Sequence, residues 1–133
     1  MTKKNKPVKR FLTDDEWLLV KEVMPDNYVR LIFELLHGTG LRIQELLCLK
    51  KRDITFKNNK GKIYVSNGKG NKSRYVPIIY DEVTKRLEDY VKKNNLKSED
   101  LLFLNRLGRP YKSGCSLNKT LKHYCKVVGI TNY

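Results

Sequence analysis

Two short stretches of the chain bring together residue types that handle phosphate. The first, residues 39 to 54, reads TGLRIQELLCLKKRDI; it sets Arg42 two residues after Gly40, where a short apolar helix begins, with Glu45 three residues on. The second, GKGNKSRYVP from Gly68 to Pro77, carries Lys69 between two glycines, with Lys72 and Arg74 close behind. A guanidinium at a helix start converges with the free N–H groups of the first turn on one anion, and it grips phosphate oxygens in bidentate fashion. The same placement opposes the helix dipole, which disfavours a cation at an N-terminus. On residues alone, a solvated first-turn arginine and an anion-binding arginine both stay open, and Glu45 is spaced to fix the arginine's direction. A lysine at a hairpin tip, between glycines that permit close backbone approach, reaches into a groove or onto a phosphate.

The glycine run from Gly68 to Ser73 matches neither nucleotide motif. Asn71 stands where a P-loop needs the glycine before its lysine, and Ser73 stands where G-x-G-x-x-G needs its third glycine. The segment also joins strand to strand, whereas both motifs need a helix N-terminus. His37, beside Gly38, reads as a helix-end cation or polar cap. His123 lies inside an amphipathic segment and reads as a surface or interfacial histidine. Cys48, Cys115 and Cys125 are odd in number and lack C-x-x-C spacing; they read as buried thiols in a reducing cytosol, and no metal site is predicted.

The elements that position these residues follow from periodicity. Thr13 and Glu16 form a capping box that opens a helix with Trp17, Val20 and Met24 inward, and Pro25-Asp26 ends it. A second helix from about Asn27 buries Val29, Ile32, Phe33 and Leu36 and stops at Gly38 as a left-handed C-cap. A third begins near Arg42 and buries Ile43, Leu46, Leu47 and Leu49. The period then falls to two: residues 54–56, 62–66 and 74–78 read as strands, joined by turns at 58–61 and 67–71. Val83, Leu87, Tyr90 and Val91 mark a fourth helix, and Leu117, Leu121, Cys125 and Val128 a fifth that ends at Gly129. The prediction is an α+β fold, with helices around a small three-stranded antiparallel sheet.

The chain has 133 residues, 40% of them apolar, enough for one compact unit with one modest core. Its 28 Lys and Arg against 14 Asp and Glu leave a formal charge of +14, which calls for a polyanionic partner. No run approaches the roughly 18 apolar residues of a spanning helix, and no basic helix has a wide apolar face, so nucleic acid is favoured over lipid. Residues 1–11, MTKKNKPVKRF, are basic with no apolar run behind them and read as an arm or linker rather than a signal peptide. An RNA-binding module is the weaker alternative, because the sequence shows no RNP-like aromatic pair on a strand and no G-x-x-G clamp between helices.

The segment GTGLRIQELL from Gly38 to Leu47, followed by Leu49 and Asp53-Ile54, resembles the first arginine box of the tyrosine recombinases, the phage integrase family. Gly68 to Pro77 is similar to that family's lysine-bearing β-hairpin. Leu102-Phe103, the run from Asn105 to Pro110 and the closing helix through Val128-Gly129-Ile130 resemble its next segments, so the likeness runs from about Leu12 onward. The resemblance implies site-specific cutting and rejoining of DNA through a 3′-phosphotyrosine, as in integration or recombination of a mobile element, with no metal or other cofactor. It implies that Arg42 is the first of two arginines that stabilise the phosphorane and that Lys69 protonates the leaving 5′-oxygen. Glu45 supports Arg42, and Lys72 and Arg74 are expected as DNA-binding cations; a lysine suits the acid role if such neighbouring cations depress its pKa.

The family pattern continues into an H-x-L-R-H box, a second His or Trp and the tyrosine nucleophile. None of these is found in the 133 residues, and Tyr133 precedes the place of the box. The expectation is therefore a basic arm or linker (1–11) and the N-terminal part of a catalytic domain (12–133), truncated before the box and inactive alone. Its expected partner is double-stranded DNA in the cytoplasm, with no membrane. The intact parent is expected as a tetramer on paired sites and this chain as a monomer. The alternative is a natural non-catalytic remnant that binds DNA and regulates an intact recombinase.

Overall fold

The computed structural model describes residues 12–66 and 72–131. The expected arm (1–11), the hairpin tip with Lys69, and Tyr133 lie outside the described residues. The elements are α1 (Asp14–Val23), α2 (Tyr28–Thr39), α3 (Ile43–Leu47), a 3-10 turn (Lys51–Asp53), β1 (Ile54–Lys57), β2 (Lys60–Ser66), β3 (Ser73–Pro77), α4 (Asp81–Lys93) and α5 (Cys115–Val127). This is the α+β class that the periodicity predicts. Among the described residues no helix is long and apolar enough to cross a membrane.

Contacts divide the chain into two compact units, where the sequence predicts one. The first holds α1 and α5, which pack together although some ninety residues part them. Met24 precedes Pro25, is held at ψ 137 and ends α1. The Thr13 hydroxyl accepts the Glu16 N–H at 3.2 Å and the Glu16 carboxylate accepts the Thr13 N–H at 3.0 Å, which completes the predicted capping box. Trp17, Val20 and Met24 are buried from α1, and Leu117, Leu121 and Cys125 from α5.

The second unit, Asp26–Gly114, holds the sheet with α2, α3 and α4. The strands run antiparallel in the order β1-β2-β3. Asn58 and Asn59, with φ 54 and 64, form the turn between β1 and β2, because asparagine tolerates the left-handed region that a two-residue hairpin loop demands. Gly61 lies in β2 rather than in the turn. A Cβ there would sit 2.9 Å from Ile78 Cδ1 and 3.0 Å from Thr84 Cγ2, so the bare backbone lets α4 close on the sheet.

Three local expectations are corrected. The helix α2 passes through Gly38 and ends at Gly40, whose φ of 74 supplies the left-handed cap. Its buried stripe includes Leu31, Glu34 and Leu35, with Val29 and Leu36 only half-buried, because α2 packs on both α3 and α4. Cys48 and Cys115 are exposed and only Cys125 is buried. Cys48 caps the five-residue α3 after its apolar turn is complete, and Cys115 is the first residue of α5.

The buried Glu34 is secured across helices. Arg86 of α4 donates Nε to Glu34 Oε1 at 2.8 Å and Nη2 to Asp26 Oδ1 at 2.5 Å, and Arg30 Nε lies 3.6 Å from Glu34 Oε2. The 3-10 turn is fastened by backbone: the Lys51 N–H donates to the Asp100 carbonyl at 2.9 Å, Arg52 to Ser98 at 3.0 Å, and Leu102 to Leu49 at 2.9 Å. These bonds set the end of α3 and the start of β1, the frame on which the basic residues stand.

Candidate functional site

Arg42 is the N-cap of α3, in extended backbone (φ −74, ψ 149), and its side chain is exposed. Its carbonyl accepts the first helical bond, from the Leu46 N–H at 3.0 Å. A guanidinium has no acceptor, so it cannot cap the first-turn N–H groups as serine or aspartate would. Half of a capping box remains: the Glu45 Oε1 accepts the Arg42 N–H at 3.0 Å. With only five residues α3 carries little dipole, so positive potential here comes mainly from the guanidinium.

Glu45 also receives Arg74 of β3, whose Nη2 donates at 3.2 and 3.3 Å to its two oxygens. The carboxylate thus holds Arg42 by its backbone and Arg74 by its side chain. The Arg42 N–H, and then the Arg74 guanidinium, keep the Glu45 pKa below the ordinary glutamate value against the opposing effect of partial burial. Among the described residues no side chain hydrogen-bonds the Arg42 guanidinium. It lines an open groove of about 1000 Å³, together with Gln44, Cys48, Lys50, Arg52 and the end of β2. β2 reaches Ser66, but its pairing with β1 stops at Ile63 opposite Ile54, so residues 64–66 border the groove along an edge that β1 leaves uncovered.

Of the residues singled out in the sequence, the structure brings Arg42, Glu45 and Arg74 together. Lys72 is exposed just before β3. Lys69 lies in the undescribed tip between β2 and β3. His37 sits in the last turn of α2 with its ring stacked on Tyr80, centroids 5.5 Å apart and planes at 1°. His123 is exposed on α5, edge-on to Tyr124. No group of three or more His, Cys, Asp or Glu among the described residues is arranged to hold a metal ion.

Sequence reasoning passed over two sets of groove residues. Lys50 and Arg52 share Glu99, at 3.2 and 2.8 Å, a carboxylate that comes from the segment pinned to the 3-10 turn. Tyr64 and Tyr75 line the groove from the sheet. They face each other across β2 and β3 as a cross-strand aromatic pair. Their equal distances from the hairpin tip carried that signal, but it requires the register before it can be used.

The description "Phage integrase family" fits residues 3–133. The chain belongs to the phage integrase family. Tyrosine recombinase XerA of Pyrococcus furiosus is 36% identical over 128 residues, which cover 94% of this chain and 44% of that protein. The crystal structure of XerA recombinase superposes with a TM-score of 0.75 at 26% identity, covering 97% of this chain and 46% of that one. XerH site-specific recombinase, in a pre-cleavage complex with its difH substrate, superposes with a TM-score of 0.74 over 94% of this chain and 38% of that one; at 24% identity it shows the fold. The chain therefore spans less than half the length of these tyrosine recombinases.

Proposed function

We propose that this chain is the part of a tyrosine recombinase catalytic domain that seats the scissile phosphate of double-stranded DNA in the groove beside α3. The observation that carries the reading is Arg42: its exposed guanidinium stands over the groove, no described side chain engages it, and its backbone is clamped by Glu45. XerH in a post-cleavage complex with palindromic difH substrate, which superposes with a TM-score of 0.70 at 26% identity, supports DNA as the ligand class. The formal charge of +14 agrees, since each phosphate contact releases counterions.

In this reading a tyrosine oxygen, supplied by the family's later segment, bonds to phosphorus as the phosphorus–O5′ bond breaks. Arg42 faces the non-bridging oxygens and stabilises the charge that grows there. Lys69 delivers its proton to the departing 5′-oxygen. Glu45 positions: its carboxylate holds the Arg42 backbone N–H and accepts from the Arg74 guanidinium. Lys72 and Arg74 bind DNA phosphates. The 133 residues, which contain no H-x-L-R-H run, bind DNA as a monomer without cutting it.

The test is made in a full-length recombinase built on this chain, with the scissile 5′-oxygen replaced by sulfur, a leaving group that needs no proton. Lys69→Ala is expected to recover most of its lost cleavage rate on that substrate, and Arg42→Ala is not. Rescue of Arg42→Ala alone would reverse the two assignments. Rescue of neither would remove Lys69 from the acid role.

A further inference from the structure

Beyond the phosphate site, the outward face of the sheet has a composition that a simple surface does not need. Along β2 burial alternates, so Lys60, Lys62, Tyr64 and Ser66 point out while Gly61, Ile63 and Val65 point in. The register sets Tyr64 directly opposite Tyr75 of β3, and their ring centroids lie 5.2 Å apart with planes at 58°. Tyr75 is 62% exposed, so its ring contributes little to the core. Lys62 Nζ stands 4.7 Å from the Tyr75 centroid and brings a cation to the pair. Lys57 and Lys60 are exposed on the same sheet, whose three strands hold no Asp or Glu; the nearest carboxylate partner is Asp81, 3.0 Å from Lys60.

We propose that Tyr64 and Tyr75, with Lys62, form a stacking seat for an unpaired DNA base next to the phosphate held at Arg42. This inference rests on the DNA reading above and adds the state of the DNA. Both tyrosines line the same groove as Arg42, so one strand can place a phosphate at the arginine and a neighbouring base on the rings. A paired base in a duplex is stacked on its neighbours and shows no face to such a seat. Strand exchange must separate the bases beside the cut, and an aromatic face plus a lysine is what a single strand uses when it binds without sequence preference. Strands that carry lysines and no Asp or Glu favour this polyanion over an apolar protein surface.

The experiment uses the 133-residue chain and two single strands of equal charge: oligo-dT of about 20 nucleotides, longer than the roughly 4–16 bound by one single-strand module, and an abasic strand of the same length. Wild type is expected to bind oligo-dT at least about fivefold more tightly than the abasic strand, the lower bound for one base on an aromatic ring. Tyr75→Leu should abolish that preference, with abasic-strand and duplex affinity unchanged, and Tyr75→Phe should keep it. Circular dichroism of the exposed-site variant checks that it is folded. If Tyr75→Leu leaves the oligo-dT preference intact, or weakens duplex binding as much as oligo-dT binding, the seat is refuted while the DNA reading stands. If wild type binds neither strand nor duplex at low salt, both fail together.

Discussion

Two arginine–carboxylate clusters occupy the same unit of this chain and have opposite characters. Between α2 and α4, Arg86 spends its guanidinium on two carboxylates, and one of them, Glu34, is 2% exposed. Its hydrogen bond to Asp26, and then Glu34, push the pKa of Arg86 up although burial opposes the charge. At the groove, Glu45 and Arg74 are 24% and 49% exposed, and Arg42 gives Glu45 only its backbone N–H. The first cluster consumes its charge within the fold, because an unpaired charge at Glu34 would be costly. The second holds its geometry through a backbone bond and a solvated ion pair, so a guanidinium remains over an open groove. Residue type does not separate these two arginines; what their donors already hold does.

The sharpest way to break this comparison is to remove each arginine and measure two quantities. In a full-length recombinase built on this chain, Arg42→Ala is expected to lower the DNA cleavage rate by roughly 10²–10³-fold, as loss of one preorganised oxyanion donor does, with the denaturant midpoint of folding nearly unchanged. Arg86→Ala should do the reverse. Breaking a buried pair costs about 3–5 kcal/mol, but Arg86 is 31% exposed and Arg30 stays near Glu34, so about 2 kcal/mol is expected. Urea unfolding of the 133-residue chain at constant m-value reads that loss. Equal stability losses for the two variants would dissolve the distinction.

Much of this was legible beforehand, and the failures have physical causes. The capping box at Thr13, the five helices and the meander rest on local chemistry: side-chain caps, asparagine turns and apolar period. Gly38 was misread because a glycine near a helix end looks like a cap, whereas here Tyr80 packs within 3.3 Å of where its Cβ would be and Gly40 takes the cap. Glu34 and Arg86 stand 52 residues apart, and no local pattern ties them. Arg42 and Glu45 were visible because their relation is local, at i and i+3. The share of Glu45 that belongs to Arg74 was not, since it depends on β3 returning beside α3.

A smaller effect tests the electrostatics of the groove cluster. The pKa of Glu45 is depressed in the folded chain, so its ionised form adds stability above the ordinary glutamate pKa of about 4.3, and that stability is lost as pH falls through the depressed value. Glu45→Gln keeps an acceptor for the Arg42 N–H and removes the charge. At neutral pH the variant should be less stable by no more than about 1 kcal/mol, the range for a solvated ion pair. The gap should close as urea midpoints are followed into acid, through the depressed pKa. A gap that widens on acidification would mean that Glu45 is destabilising as an anion, and the clamp would have to be redrawn.

The smallest expected effect separates binding cations from the arginine at the groove. Lys72 is exposed, just ahead of β3, and among the described residues no carboxylate pairs with it. On the DNA reading proposed above, a lysine so placed would touch phosphate as a point charge and contribute release of condensed counterion. Lys72→Ala should therefore weaken duplex binding only modestly and alike on any sequence, while the slope of log K against log salt falls by about one. Wild type should bind non-specifically near ~10⁻⁴ to 10⁻⁶ M with steep salt dependence. Fluorescence anisotropy at several salt concentrations reads slope and affinity together. The Arg74 side chain is shared with Glu45, so Arg74→Ala should change the slope by less than one, because part of its charge is already neutralised before DNA arrives. If Arg74→Ala removed a full unit and Lys72→Ala none, Glu45 would not hold Arg74 in solution, and the contrast with the closed Arg86 cluster would rest on Arg42 alone.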